Sequence, residues 1–88
     1  MKKLVSVQEV EGEGLTALLG ENVMLFCMNY IYAGKLVGVN THDVLLEKAQ
    51  IVYETGVLTA DKFQDAQPLP HDLYVRTSAI ESYSKSGR

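Results

Sequence analysis

The stretch Gly34-Lys35-Leu36-Val37-Gly38-Val39-Asn40-Thr41-His42-Asp43-Val44-Leu45-Leu46-Glu47-Lys48-Ala49 decides how this chain folds. Its first part continues an aromatic and β-branched run that starts at Tyr30, which reads as a strand to Val39. Glycine inside a strand weakens it, so the pair at 34 and 38 predicts a strong bend where another backbone comes close. Asn40-Thr41-His42-Asp43 is a polar turn, and Val44 to Tyr53 is a long following strand.

Upstream, Asn22 to Met28 is apolar almost without gaps and reads as another strand, with a hairpin turn at Met28-Asn29 because asparagine accepts positive φ at little cost. Before it, Gly14-Leu15-Thr16-Ala17-Leu18-Leu19-Gly20 sets three leucines on one helical face between glycines, the pattern of a short helix over a barrel end. Downstream, residues 54–72 carry both prolines and read as a long connection with a helical piece at Thr59-Ala60-Asp61-Lys62-Phe63-Gln64, capped by Thr59. Two short strands, Leu73-Tyr74-Val75-Arg76 and Ile80-Glu81-Ser82-Tyr83, close the chain. The fold predicted is mainly β: a small, five-stranded, strongly bent SH3-like barrel with a short N-terminal helix.

Composition agrees with one ordered domain. The 88 residues are 47 % hydrophobic and 22 % charged, enough for a single core and too few for two. Residues 14–88 form the expected domain, and residues 1–13, where Leu4, Val5, Val7 and Val10 mix with Glu9, Glu11 and Glu13, are either an extra strand or a loose arm. A lone core of this size leaves little surplus over chain entropy, which disulfides, metals or partner subunits often supplement. Cys27 is the only cysteine and lies in an apolar run, so it reads as a small core side chain. Partner subunits then become the expected supplement.

The start Met1-Lys2-Lys3-Leu4-Val5 meets Ser6, Gln8 and Glu9 too soon for an export signal, and no apolar run reaches the roughly 20 residues of a membrane span. A cytoplasmic protein without a membrane partner is expected. The net charge is −3 and the body of the chain carries no basic patch, so nucleic acid could be held only by a few placed residues.

The order of elements and the quoted stretch resemble the Sm/Lsm family of RNA-associated ring proteins. That family's first motif has a glycine, a leucine two later, an acidic or amide residue closing a bent strand, a turn ending in asparagine, and an apolar strand. Here Gly34 and Leu36 match, and Asn40 stands where aspartate is usual. His42 falls where members often carry a histidine or aromatic, and Asp43 matches the asparagine with one residue deleted. The second motif, an apolar residue, arginine and glycine before a last strand, is similar to Val75-Arg76-Thr77-Ser78-Ala79-Ile80, with threonine in place of the glycine. The resemblance covers residues 15 to 83; the Tyr-Lys-His signature of the bacterial RNA-chaperone branch is a poorer match.

The resemblance implies a homo-oligomeric ring of about five to seven subunits, joined through the last two strands at Leu73, Tyr74, Val75, Ile80 and Tyr83. It also implies a repeated single-stranded RNA site made of Asn40, His42, Asp43, Arg76 and Ser78, with a base stacked between His42 and Arg76. Asp43 lacks the amide donor of an asparagine, which favours bases that present donors, such as adenine or cytosine, over uracil. Against this, His42 is equally a solvated turn residue, and Arg76 could simply pair with Glu81 or Asp72. A ring acting only as a protein-interaction scaffold is the alternative, and the acidic balance favours it.

No enzyme is expected, since no nucleophile elbow, phosphate loop or zinc-ligand spacing occurs. His42-Asp43 and His71-Asp72 are sequence neighbours, which point to opposite faces of a strand and seldom ligate one metal. Neither a metal nor a cofactor is expected.

Overall fold

Apolar residues at consecutive positions mean a strand buried on both faces, and Val23, Met24 and Leu25 are all buried in succession. The computed structural model describes residues 14–88; the expected extra strand or arm at 1–13 lies outside them. The chain forms β1 (Asn22–Cys27), β2 (Ile31–Val39), β3 (Asp43–Glu54), β4 (Asp65–Pro68), β5 (Leu73–Arg76) and β6 (Ile80–Lys85). All pair antiparallel in one sheet of order β4-β3-β2-β1-β6, with β5 also on β3.

The expected strands at 22–28, 30–39, 44–53, 73–76 and 80–83 are therefore present within a residue or two at each end. Three features differ. There are six strands instead of five, and among the described residues no strand pairing joins the two ends of the sheet to close it as a barrel. The extra strand, β4, has little β propensity of its own. It forms because β3 is twelve residues long and β5 covers only its first part, so Gln50–Glu54 is left to pair with Asp65–Pro68. Pro68 is tolerated there because β4 is an edge strand.

The N-terminal helix is a single 3-10 turn, Leu15–Leu18, stopped by Gly20 at φ 88°. Leu15 and Leu18 pack on the core, and the turn is tied to β2 through Gly20 N–H to Leu36 O and Leu36 N–H to Glu21 O. The helix expected at Thr59–Gln64 is absent. In its place Ala60 N–H closes a turn on Val57 O, and Val57 O and Lys62 O face Arg88.

Two apolar clusters form on opposite faces of the sheet. One holds Val23, Leu25, Leu36, Val44, Leu46, Ala49 and Val75; the other holds Met24, Ala33 and Val52, with Phe26, Ile31, Phe63 and Ala66 packed on it. A bend lets β3 serve both. Between Glu47 and Gln50 the ladder to β2 slips by one residue, with Lys48 and Ala49 opposite Gly34 and Lys48 in left-handed backbone at φ 53°. The close approach predicted at Gly34 is present: a Cβ there would lie 3.1 Å from Ala49 Cα and from Glu47 O.

Candidate nucleic-acid interface

The β2–β3 turn is built around Asn40. Its side-chain oxygen accepts the backbone N–H of His42 at 2.9 Å and of Asp43 at 2.8 Å, while its own N–H donates to Asp43 O at 2.9 Å. An asparagine or aspartate is what such a turn requires, because only a short side chain ending in an acceptor reaches back to the next amides. Asn40 is thus committed through its oxygen to shaping the turn.

The second motif docks on this turn. A three-residue 3-10 turn, Thr77–Ala79, follows β5, and Thr77 grips the β2–β3 turn twice: its N–H donates to His42 O and its hydroxyl to Thr41 O, both at 2.8 Å. The threonine found where the resembled motif carries glycine therefore has a bonding role. One position back, Arg76 lies across the β3–β5 ladder from Asp43. Residues so opposed stand about 4.5–5.5 Å apart at Cβ, yet the one ion pair among the described residues joins Lys85 to Glu21 at 3.6 Å. Arg76 pairs with neither Asp43 nor Glu81 nor Asp72, and it is exposed.

Asn40, His42, Asp43 and Arg76 are accordingly gathered at one end of the sheet, His42 exposed at the turn and Asp43 half-buried. They do not share one hollow. Asn40 and Asp43 line a shallow groove beside β5, whereas Arg76 and Ser78 line a second one bounded by the β1–β2 hairpin tip. Tyr74 lines both, and is 68 % exposed. Sequence reasoning gave Tyr74 to the subunit interface and did not place it beside Asp43 and Arg76. The signal was available in the alternation of Leu73-Tyr74-Val75-Arg76, which puts Tyr74 and Arg76 on one face of β5, opposite the core-facing Val75.

The rim of the second groove is apolar: Met28 is 88 % exposed, and the Tyr30 and Tyr32 rings lie 6.1 Å apart, tilted by 53°. Cys27 and Tyr32 contribute to its wall. Partial burial pushes the Cys27 thiol above its ordinary pKa, and burial, followed by the neighbouring Cys27 and Tyr30, does the same to the Tyr32 phenol.

Of the residues expected at a subunit seam, Tyr74 and Tyr83 are exposed, Leu73 and Ile80 are half-buried against the core, and Val75 lies within it. Among the described residues β5 pairs only with β3 and β6 only with β1, so each has one unpaired edge. His71 lies in the bend before β5, outside the cluster, and among the described residues no group of three or more His, Cys, Asp or Glu side chains is placed to hold a metal. No helix of the described residues is long and apolar enough to cross a membrane. No family model matches this chain, and no curated protein matches it.

Proposed function

We propose that the chain is an Sm-like domain that assembles into a closed homo-oligomeric ring and binds single-stranded RNA through a site repeated once per subunit. The observation that carries this reading is the clasp of Thr77 on Thr41 and His42, which holds the turn and Arg76 at one exposed end of the sheet. Arg76, without an ion-pair partner among the described residues, supplies a guanidinium plane, and Tyr74 beside it an aromatic face. Both faces suit a nucleobase, and stacking contributes about 1–3 kcal/mol per base. Asp43 restricts which base edge fits, because a carboxylate accepts hydrogen bonds and donates none.

Ring closure rests on the edges of β5 and β6 that have no partner among the described residues. An exposed edge invites pairing with another chain, and a head-to-tail pairing that closes leaves no edge open. The role is binding, with no catalytic group and no cofactor assigned to it. Size exclusion with light scattering, joined to anisotropy titrations against short oligouridine and oligoadenine, tests both parts. A single species of about five to seven subunits that binds single strands supports the proposal, and a monodisperse monomer refutes the ring.

The apolar rim formed by Met28, Tyr30 and Tyr74 favours a second reading, a ring or barrel that contacts proteins alone. An oligomer with no detectable RNA affinity at high micromolar protein would select it.

A further inference from the structure

At the far end of β3 from the proposed RNA site, the loop between β3 and β4 surrounds a guanidinium group. One terminal nitrogen of Arg88 faces three backbone oxygens of that loop: Thr55 O at 2.9 Å, Val57 O at 3.3 Å and Lys62 O at 3.4 Å. That nitrogen has two protons for three acceptors, so the Thr55 bond is the firm one and the longer two share what remains. The guanidinium carbon lies 4.3 Å from the centre of the Phe63 ring, within cation–π range. Asp61 and Asp65 line the same hollow and favour a cation in it.

The seat belongs to the loop and not to the tail. Phe63 and Ala66 are packed on the cluster of Met24, Ala33 and Val52, so these parts have support apart from Arg88. The segment after β6, by contrast, is anchored among the described residues at Ser86, which is 8 % exposed and donates its N–H to Asn22 O at 2.7 Å. Gly87 is exposed with open space around it, and Arg88 returns a single backbone bond to Ser86 Oγ at 3.0 Å. One glycine peptide thus separates an anchored residue from a half-buried side chain that could swing out.

We propose that the β3–β4 loop is a guanidinium-binding site, filled here by Arg88 from the same chain and able to take an arginine side chain of another polypeptide when Arg88 leaves. Selectivity for arginine over lysine follows from shape. A planar guanidinium can lie against Phe63 while its edge reaches the carbonyls, whereas an ammonium is a strongly hydrated point charge without a plane to stack. While Arg88 occupies the seat, the loop is clasped to the end of β6 and the seat is closed to other arginines. This site shares no residue with the proposed RNA site and does not depend on it.

The test uses the full chain carrying Arg88→Ala, with the Phe63 ring resonances and the exchange rate of the Ala60 amide as readouts. In this variant Ala60 should exchange about tenfold faster than in the parent. Millimolar N-acetyl-arginine amide should shift the Phe63 ring saturably and restore Ala60 protection, with N-acetyl-lysine amide at least about tenfold weaker. The parent should bind the arginine probe at least about tenfold more weakly than the variant, because its seat is filled. If Arg88→Ala does not fold, the same titration on Arg88→Lys decides. No saturable binding, equal affinity for the two probes, or equal affinity of parent and variant would each overturn the proposal.

Discussion

Lys48, at φ 53°, and Ala49 together occupy the place opposite Gly34 in the β2–β3 ladder. The bulge and the glycine are two halves of one bend: the extra residue turns β3, and the missing side chain lets it come within contact of β2. Gly34→Ala forces a methyl to 3.1 Å from two backbone atoms that cannot rotate away. It should cost about 1–3 kcal/mol in urea unfolding, and Gly34→Val more. Equal midpoints for parent and Gly34→Val would show that the bend relaxes freely.

Lys48 should respond in the opposite order. A non-glycine residue in left-handed backbone costs about 1–2 kcal/mol, while glycine brings about 0.5–1 kcal/mol of extra chain entropy to lose. Lys48→Gly should therefore equal the parent or exceed it by up to about 1.5 kcal/mol, and Lys48→Val, β-branched at positive φ, should lose at least about 1 kcal/mol. Thermal melts of the three proteins check the order Gly, Lys, Val.

Thr77→Val keeps the shape of the side chain and removes the bond to Thr41 O. A loss of about 0.5–1.5 kcal/mol is expected, with Thr77→Ser close to the parent. If the clasp also sets the proposed RNA site, Thr77→Val should weaken oligonucleotide binding at temperatures where it is still fully folded. Anisotropy well below its melting point separates that effect from stability.

At the site itself, Arg76→Ala removes a stacking plane and a charge from every subunit, and should cost about 1–3 kcal/mol per bound base. Asp43→Asn supplies an amide donor and removes a repelling charge, so it should tighten binding and move preference towards uracil. Binding by the parent should depend only weakly on salt, because the chain carries a net charge of −3, which the proposed ring would multiply, and so has no general attraction for phosphate. A steep salt dependence in the same titrations would place the contacts elsewhere.

Cys27 and Tyr32 set an alkaline limit. Both are acids whose pKa is raised in the folded state, so the unfolded chain loses its protons first as pH rises. Their contribution is complete at neutral pH, begins to fall above about pH 9, and continues to fall until the folded groups ionise. Urea midpoints should drop over that range, and Cys27→Ala should remove the earlier part of the fall. An unchanged slope in Cys27→Ala would assign the loss to other groups.

Strands were legible where side chains carried the pattern. The gapless run at 22–28, the glycine bend and the short pair around Thr77 all reappear at nearly the expected residues. β4 was not legible because Asp65-Ala66-Gln67-Pro68 pairs for want of another partner on β3, which is a property of the sheet and not of the segment. The helical pattern at 59–64 failed for a similar reason: the segment is shaped by contacts to Arg88, more than twenty residues away in sequence, through Lys62 O and the Phe63 ring. At the site, the grouping of Asn40, His42, Asp43 and Arg76 followed from the motif, but one of the two bonds of the clasp comes from the Thr77 hydroxyl, at the position where the chain departs from that motif.

The pairing of β6 with β1 joins Cys27 to Ile80 and Val23 to Lys85, whereas β1, β2 and β3 follow one another through turns of a few residues. Closing a loop of about fifty residues costs more chain entropy than closing a hairpin, and nothing offsets that cost until the two strands meet. The topology therefore favours an order of folding in which the three-strand meander gathers first and the last strand follows. In the proposed ring, the edge that would meet a neighbouring subunit is then completed only when the rest of the domain is in place, so an immature chain would have no finished surface to offer.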